Sequence, residues 1–285
     1  MKHPKGAKRN GECRNLVVIS DTHCGCKLGL CPPSGTPLDD GGIYQPSRAQ
    51  SNVFAMWESF WNEFVPAATR GEPYSVVHNG DVIDGVHHNS VTQISHNIED
   101  QVDLAHRILE PVVEKCGGRY YHIRGTEAHV GKSGQHEEAL AKRLGAIPDK
   151  DGKHARFELW KRIGKHLVHF LHHIGTTASS AHESSAVNAE LAAEFVEAAR
   201  WGDEPPSLVV RSHRHTCIQV SIPWDRGFAS AVVTPAWQLR TPFSWKIAGA
   251  RLKPPQIGGL VIRIGDDGAI YTVPKVWRIM RSETV

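Results

Sequence analysis

Five short blocks of this 285-residue chain set acids, imidazoles and small polar side chains together. They are Asp21-Thr22-His23, Gly80-Asp81-Val82-Ile83-Asp84-Gly85, Gly125-Thr126-Glu127-Ala128-His129, His172-His173 and His213-Arg214-His215. Histidine is abundant, at 18 residues, and clusters in these blocks. Carboxylate with imidazole suits borderline divalent cations such as Mn, Fe, Zn or Ni rather than Ca or Mg. In Asp-x-His and His-x-His the two ligand-type residues share one side of an extended segment, because alternate residues of a strand face the same way. One such pair is a weak signal. All five in series, each after a strand-like run, form a strong one, since burying these charges without a cation would be costly.

The segments that must carry these blocks follow from the hydrophobic pattern. Residues 15–20 (NLVVIS) form a β-branched apolar run closing on Asp21, as a buried parallel strand would. Residues 75–78, 119–123, 165–171 and 207–210 read as further strands, each running into one of the other blocks. Helices are expected over 53–65, where Val53, Trp57, Phe60, Trp61 and Phe64 form an apolar stripe, and over 92–115, interrupted by Pro111. Two more are expected over 137–144 and 182–201. Residues 24–51, with five Gly and four Pro, form a long loop of the kind that is usually functional. After residue 216 the chain becomes strand-rich (218–222, 229–234, 260–264, 269–273). The organisation expected is a basic tail over 1–14 and one α/β domain over 15–285, with 216–285 completing a second sheet.

Composition removes several classes. With 22% charged and 40% hydrophobic residues and no low-complexity block, the chain is not dominated by disorder. A net charge of +3 does not describe a nucleic-acid groove over the whole surface. No apolar run approaches the roughly 20 residues that span a bilayer, and no apolar stretch before Leu16 resembles a signal peptide. Six cysteines in such a chain read as reduced thiols, Cys24, Cys26 and Cys31 included, so a cytoplasmic protein is expected. His122, His166 and His169 read as ordinary core or surface histidines. Gly131-Lys132-Ser133-Gly134 lacks the spacing of a phosphate loop.

Asp21-Thr22-His23, Gly80-Asp81-Val82-Ile83-Asp84 and His213-Arg214-His215 resemble the D-x-H, G-D-x-x-D and G-H-x-H blocks of calcineurin-like metallophosphoesterases, over roughly 16–216. The resemblance implies a four-layer α/β-β/α sandwich of two mixed sheets flanked by helices, with a dinuclear metal centre at one edge. It implies that Asp21, His23 and His215 hold a first metal, that Asp81 bridges, and that His213 and one of His172 and His173 hold a second. Asp84 would orient a histidine acting as acid. The activity implied is hydrolysis of a phosphate mono- or diester by a metal-bridging hydroxide, with two divalent ions, Mn foremost. Arg214 and Arg240 are candidates to reach the substrate phosphate. A nuclease of the same family is a competing reading, its nucleic acid held by the basic stretch and the 24–51 loop. An inactive phosphate- or nucleotide-binding relative is another.

This chain departs from the family pattern in the third block. The family reads G-N-H-[DE]; here no Asn follows Gly125 and the histidine arrives two positions late. Glu127 or Thr126 is expected in the Asn place, Glu127 being the stronger ligand, and His129 in the acid's, with His87 or His88 as alternatives. Ser212 stands where the family has Gly. At the fourth block His173 is favoured slightly over His172.

Overall fold

The computed structural model describes residues 13–87, 89–131, 133–175, 180–242, 244 and 254–279. The first stretch contains β1 (Asn15–Ile19), a short hairpin of β2 (Thr36–Pro37) and β3 (Ile43–Tyr44), α1 (Arg48–Ser59), a π-helical turn (Phe60–Phe64), α2 (Val65–Thr69) and β4 (Tyr74–Asn79). The middle contains α3 (Ile98–Lys115), β5 (Tyr120–Ile123), α4 (Glu127–Val130), α5 (Gln135–Arg143), β6 (Ala155–Arg156), β7 (Glu158–Ile163) and β8 (His166–Leu171). The last contains α6 (Glu183–Trp201), β9 (Leu208–Arg211), β10 (Ile218–Trp224), β11 (Gly227–Val233), β12 (Gln256–Ile264) and β13 (Ile270–Arg278).

Two mixed sheets result. One runs β13-β12-β1-β4-β5-β6, the other β10-β11-β9-β8-β7. In the first, β1, β4, β5 and β6 are parallel; in the second, β8, β9 and β11 are. Alternation along β1 shows how they stack. Val17 and Ile19 pack toward Val53, Trp57, Phe60, Leu104 and Leu140 of the helices, while Leu16 and Val18 pack toward Val168, Phe170, Leu208 and Val210 of the other sheet. Beyond that sheet, Val209, Ala231 and Val233 meet Val187 and Leu191 of α6. The order helix, sheet, sheet, helix is the four-layer sandwich. Central strands buried on both faces explain why they read as unbroken apolar runs.

Some boundaries differ from the sequence reading. A capping box between Ser47 and Gln50 starts α1 five residues before the apolar stripe. Helix α3 begins at Ile98, behind the Asn97 cap, and runs through Pro111 because Ile108, Leu109 and Val112 are buried on both sides of it. The strand-rich tail does not all enter the second sheet. Strands β10 and β11 do; β12 and β13 instead extend the first sheet, β12 pairing antiparallel with β1 and so covering its open edge. Of the basic stretch 1–14, only Cys13 and Arg14 lie within the described residues. Among the described residues no helix is long and apolar enough to cross a membrane.

Candidate metal centre

The five blocks meet where the carboxyl ends of β1, β4 and β5 face those of β8 and β9. Main-chain hydrogen bonds tie the loops into one surface: Asp21 N donates to Gly80 O (2.9 Å), His23 N to Asp81 O (3.1 Å) and Ser212 N to His172 O (2.9 Å). Among the described residues seven non-glycine residues have positive φ, and five are Asp21, His23, Asp81, His213 and His215. That backbone region is disfavoured for any residue with a Cβ, and such conformations persist only where the surroundings enforce them.

Two ligand-type groups emerge. In the first, Asp21, His23 and His215 converge. His215 Nε2 is 3.1 Å from Asp21 Oδ1 and 3.3 Å from His23 Nε2, and His23 Nε2 is 4.0 Å from Asp21 Oδ1. Donor atoms about 2.1 Å from one cation sit roughly 3.0–3.4 Å from each other, the spacing His215 Nε2 keeps to both Asp21 Oδ1 and His23 Nε2, while the third pair stands wider. Asp21 Oδ1 is buried and faces His215 Nε2, so a proton or a cation must lie between them.

In the second, Asp81 gathers His172 and His213. His172 Nε2 is 3.0 Å from Asp81 Oδ2, and His213 Nδ1 is 3.8 Å from the same oxygen. His172 Nδ1 donates to Asn79 O at 2.6 Å, which leaves a lone pair on Nε2 pointing at a carboxylate. A proton or a metal ion must lie between them. Burial opposes charge on His172, yet Asp81 overrides it and lifts its pKa to about 10. Burial likewise opposes ionisation of Asp21, Asp81 and Asp84. The facing imidazoles nonetheless hold all three well below the usual carboxylate range, so each is ionised opposite an imidazole.

At the fourth block it is therefore His172 that meets Asp81; His173 is exposed, its ring 5.5 Å from that of His213. The third block is corrected as well. Glu127 is exposed at the start of α4 and belongs to neither group. Thr126 takes the place beside Asp81, donating to Asp81 Oδ1 from its amide (2.7 Å) and its hydroxyl (3.1 Å). Strand β5 ends at Ile123, and the turn that follows presents the residue directly after Gly125.

Asp84 closes a third cluster with His23 and His129, but its carboxylate is already engaged. Oδ1 accepts from Gln238 Nε2 (3.2 Å) and lies 3.2 Å from His23 Nδ1, while Oδ2 accepts from Gln93 Nε2 (2.9 Å). Its carboxylate thus orients His23, and its main-chain oxygen holds His129 Nδ1 at 2.6 Å. Burial depresses His129 to about 4, Asp81 opposing, so at neutral pH it holds no spare proton for a leaving group. Gln93 and Gln238 escaped the sequence reading because isolated glutamines in loops carry no pattern. Arg214 is half-buried, and neither Nη1 nor Nη2 makes a hydrogen bond. Burial lowers its pKa and Glu183 and Glu190 raise it, so it leans toward α6. Arg240, also half-buried, follows Gln238 by two residues. His88 lies outside the described residues.

Ser212 forms part of a buried chain beneath the centre. Asn79 Nδ2 donates to Ser212 Oγ (2.7 Å), which bonds Thr234 Oγ1 (2.8 Å), which bonds Ser20 Oγ (2.7 Å). Four strand ends from both sheets are linked in this way. Cys24, Cys26 and Cys31 are buried, and burial pushes their thiols up to about 12, 12 and 11, which makes them inert. His166 and His169 make hydrogen bonds away from the centre, as expected.

No protein-family model matches the chain, and no curated protein does. Among solved structures, Chaetomium thermophilum Vps29 is similar over 94% of this chain and 97% of its own, at 10% identity and a TM-score of 0.40. Thermus thermophilus sulfate thiohydrolase SoxB is similar over 96% of this chain and 58% of its own, at 11% identity and a TM-score of 0.40. This chain thus spans less than two thirds of SoxB. A hypothetical protein from Thermus thermophilus is similar over 93% of this chain and 99% of its own, at 12% identity and a TM-score of 0.40. At that TM-score the likenesses carry no weight for the site, which stands on the sheet order and the distances above.

Proposed function

We propose that this chain is a metal-dependent phosphoesterase acting on a phosphate mono- or diester. The observation that carries the reading is the backbone. Five ligand-type residues, at strand ends of both sheets, are held in left-handed conformations, and the same residues supply two Asp/His groups at one edge. Asp21, His23 and His215 would hold one divalent cation, and His172, His213 and Asp81 a second, with Asp81 shared.

A pair of divalent ions there supplies activation of a water and neutralisation of phosphoryl charge. The chain does the rest. Thr126 fixes Asp81, its amide donating to Oδ1 and its hydroxyl to Oδ1 and, at 3.4 Å, Oδ2, while Oδ2 also faces His172 and His213. Asp84, braced by Gln93 and Gln238, sets the plane of the His23 ring. His129, with Nδ1 tied to Asp84 O, turns Nε2 to within 3.8 Å of Asp81 Oδ2, at the edge of the same site. Arg214 lies in the chain between His213 and His215, but its guanidinium nitrogens are buried and face Glu183 and Glu190 of α6, so it would have to turn toward the cleft to meet a phosphate oxygen.

The test is hydrolysis of bis-p-nitrophenyl phosphate and of p-nitrophenyl phosphate by chelator-stripped protein, with and without Mn²⁺. Turnover that returns with the metal is expected. No turnover of either ester with two Mn²⁺ bound per chain would overturn the reading in favour of a binding protein.

A further inference from the structure

One carboxylate close to the centre takes no part in the chemistry above. Glu137, in the first turn of α5, is fully buried, with no basic side chain among the described residues hydrogen-bonded to it. Its two oxygens reach from the helix layer to different loops. Oε2 accepts from Gly125 N at 2.9 Å and Oε1 from Val82 N at 3.3 Å; His122 Nε2 stands 3.8 Å from Oε1. Val82 directly follows Asp81, and Gly125 directly precedes Thr126, whose amide and hydroxyl hold Asp81 Oδ1. The loops are in such close contact that a Cβ on Gly125 would lie 2.0 Å from Asp81 Oδ1.

We propose that Glu137 is a positioning residue of the metal centre: one buried carboxylate clamps the two loops that meet at Asp81 and thereby sets the affinity of the second cation site. A carboxylate suits this place because both oxygens accept, and each loop offers one amide N–H. An amide side chain would set an NH₂ group against one of those donors and release that loop. Asp81 would keep its φ of +53° only as well as the remaining contacts hold it. The proposal rests on the metal-centre reading and concerns only the site built from Asp81, His172 and His213.

The experiment is a calorimetric Mn²⁺ titration of the metal-stripped full chain, wild type against Glu137→Gln, with thermal unfolding followed in parallel. Removing a group that orients a ligand typically weakens metal binding about 10- to 100-fold. The expected result is loss of that size at one of two sites, with the Asp21–His23–His215 site unchanged. Two sites of wild-type affinity in the variant, whatever its melting temperature, would make Glu137 a purely structural residue and overturn the proposal. Should Glu137→Gln fail to fold, Glu137→Asp keeps the charge but cannot span both amides, and the same two outcomes apply. A wild-type chain that binds no Mn²⁺ would overturn the centre itself, a result distinct from either.

Discussion

Gly80→Ala tests the site with a single added carbon. Gly80 sits between β4 and Asp81 with φ +91°, and a Cβ there would lie 2.2 Å from His172 Nδ1, 2.5 Å from its Cγ and 2.9 Å from its Cβ. The left-handed backbone costs an alanine about 1–2 kcal/mol. His172 is fully buried, so its ring can yield only by giving up the 2.6 Å bond to Asn79 O, a loss of about 1–3 kcal/mol. A total of roughly 4 kcal/mol is large against the 5–15 kcal/mol of a typical domain, but it leaves a folded majority. The melting temperature of metal-stripped protein should fall by roughly 7 °C. More specifically, Nε2 of His172 moves off Asp81, so Mn²⁺ binding should drop from two ions to one per chain and turnover of the aryl phosphate should be lost. Gly202→Ala is the control: φ is +71°, nothing lies within 4 Å of its Cβ, and only the backbone cost of about 1–2 kcal/mol remains. Calorimetric Mn²⁺ titration of both variants is the assay. Two ions bound at wild-type affinity by Gly80→Ala would refute the assignment of His172 and the geometry behind it.

Three further outcomes are expected. His172→Ala should lose one bound Mn²⁺ while His173→Ala and Glu127→Gln keep both, by the same titration. Ser212→Ala should lower stability by about 1–3 kcal/mol in urea unfolding, because it leaves Asn79 Nδ2 and Thr234 Oγ1 short of a partner inside the protein. Glu194 is held below its usual pKa: burial raises it, but His169 and Arg211 lower it further. Its folded-state value is thus depressed, so its contribution is present above the unfolded carboxylate pKa and is lost as pH falls through the folded value. Glu194→Gln should therefore be less stable by about 1–3 kcal/mol at pH 7, with the gap to wild type closing below about pH 4 in unfolding curves taken across pH.

Much of the architecture was legible because burial writes itself into sequence. Strands covered on both faces require apolar residues at every position, and 15–20, 75–78 and 207–210 show it. The amphipathic helices show it through Trp57, Phe60 and Leu191. Strand β7 was not legible, since its half-exposed edge position leaves a mixed pattern, Glu158 to Ile163. Nor was the fate of the C-terminal strands: β10–β11 and β12–β13 look alike as hairpins, and only the open edge beside β1 distinguishes their destinations.

The site divides in the same way. Residue types and spacing alone singled out Asp21, His23, Asp81, His213 and His215 as a candidate cation-binding set, and the fold brings them together at one edge. Choosing His172 over His173, Thr126 over Glu127, and His23 rather than an acid as the ring held by Asp84 required the fold. Adjacent residues on a chain point to opposite sides, and which side faces the cleft depends on main-chain turns fixed by long-range hydrogen bonds. Gln93, Gln238 and Glu137 belong wholly to the tertiary structure. They reach the centre from a loop, the segment after β11 and a helix that local patterning does not connect, and each acts through a distance that exists only once the sheets have stacked.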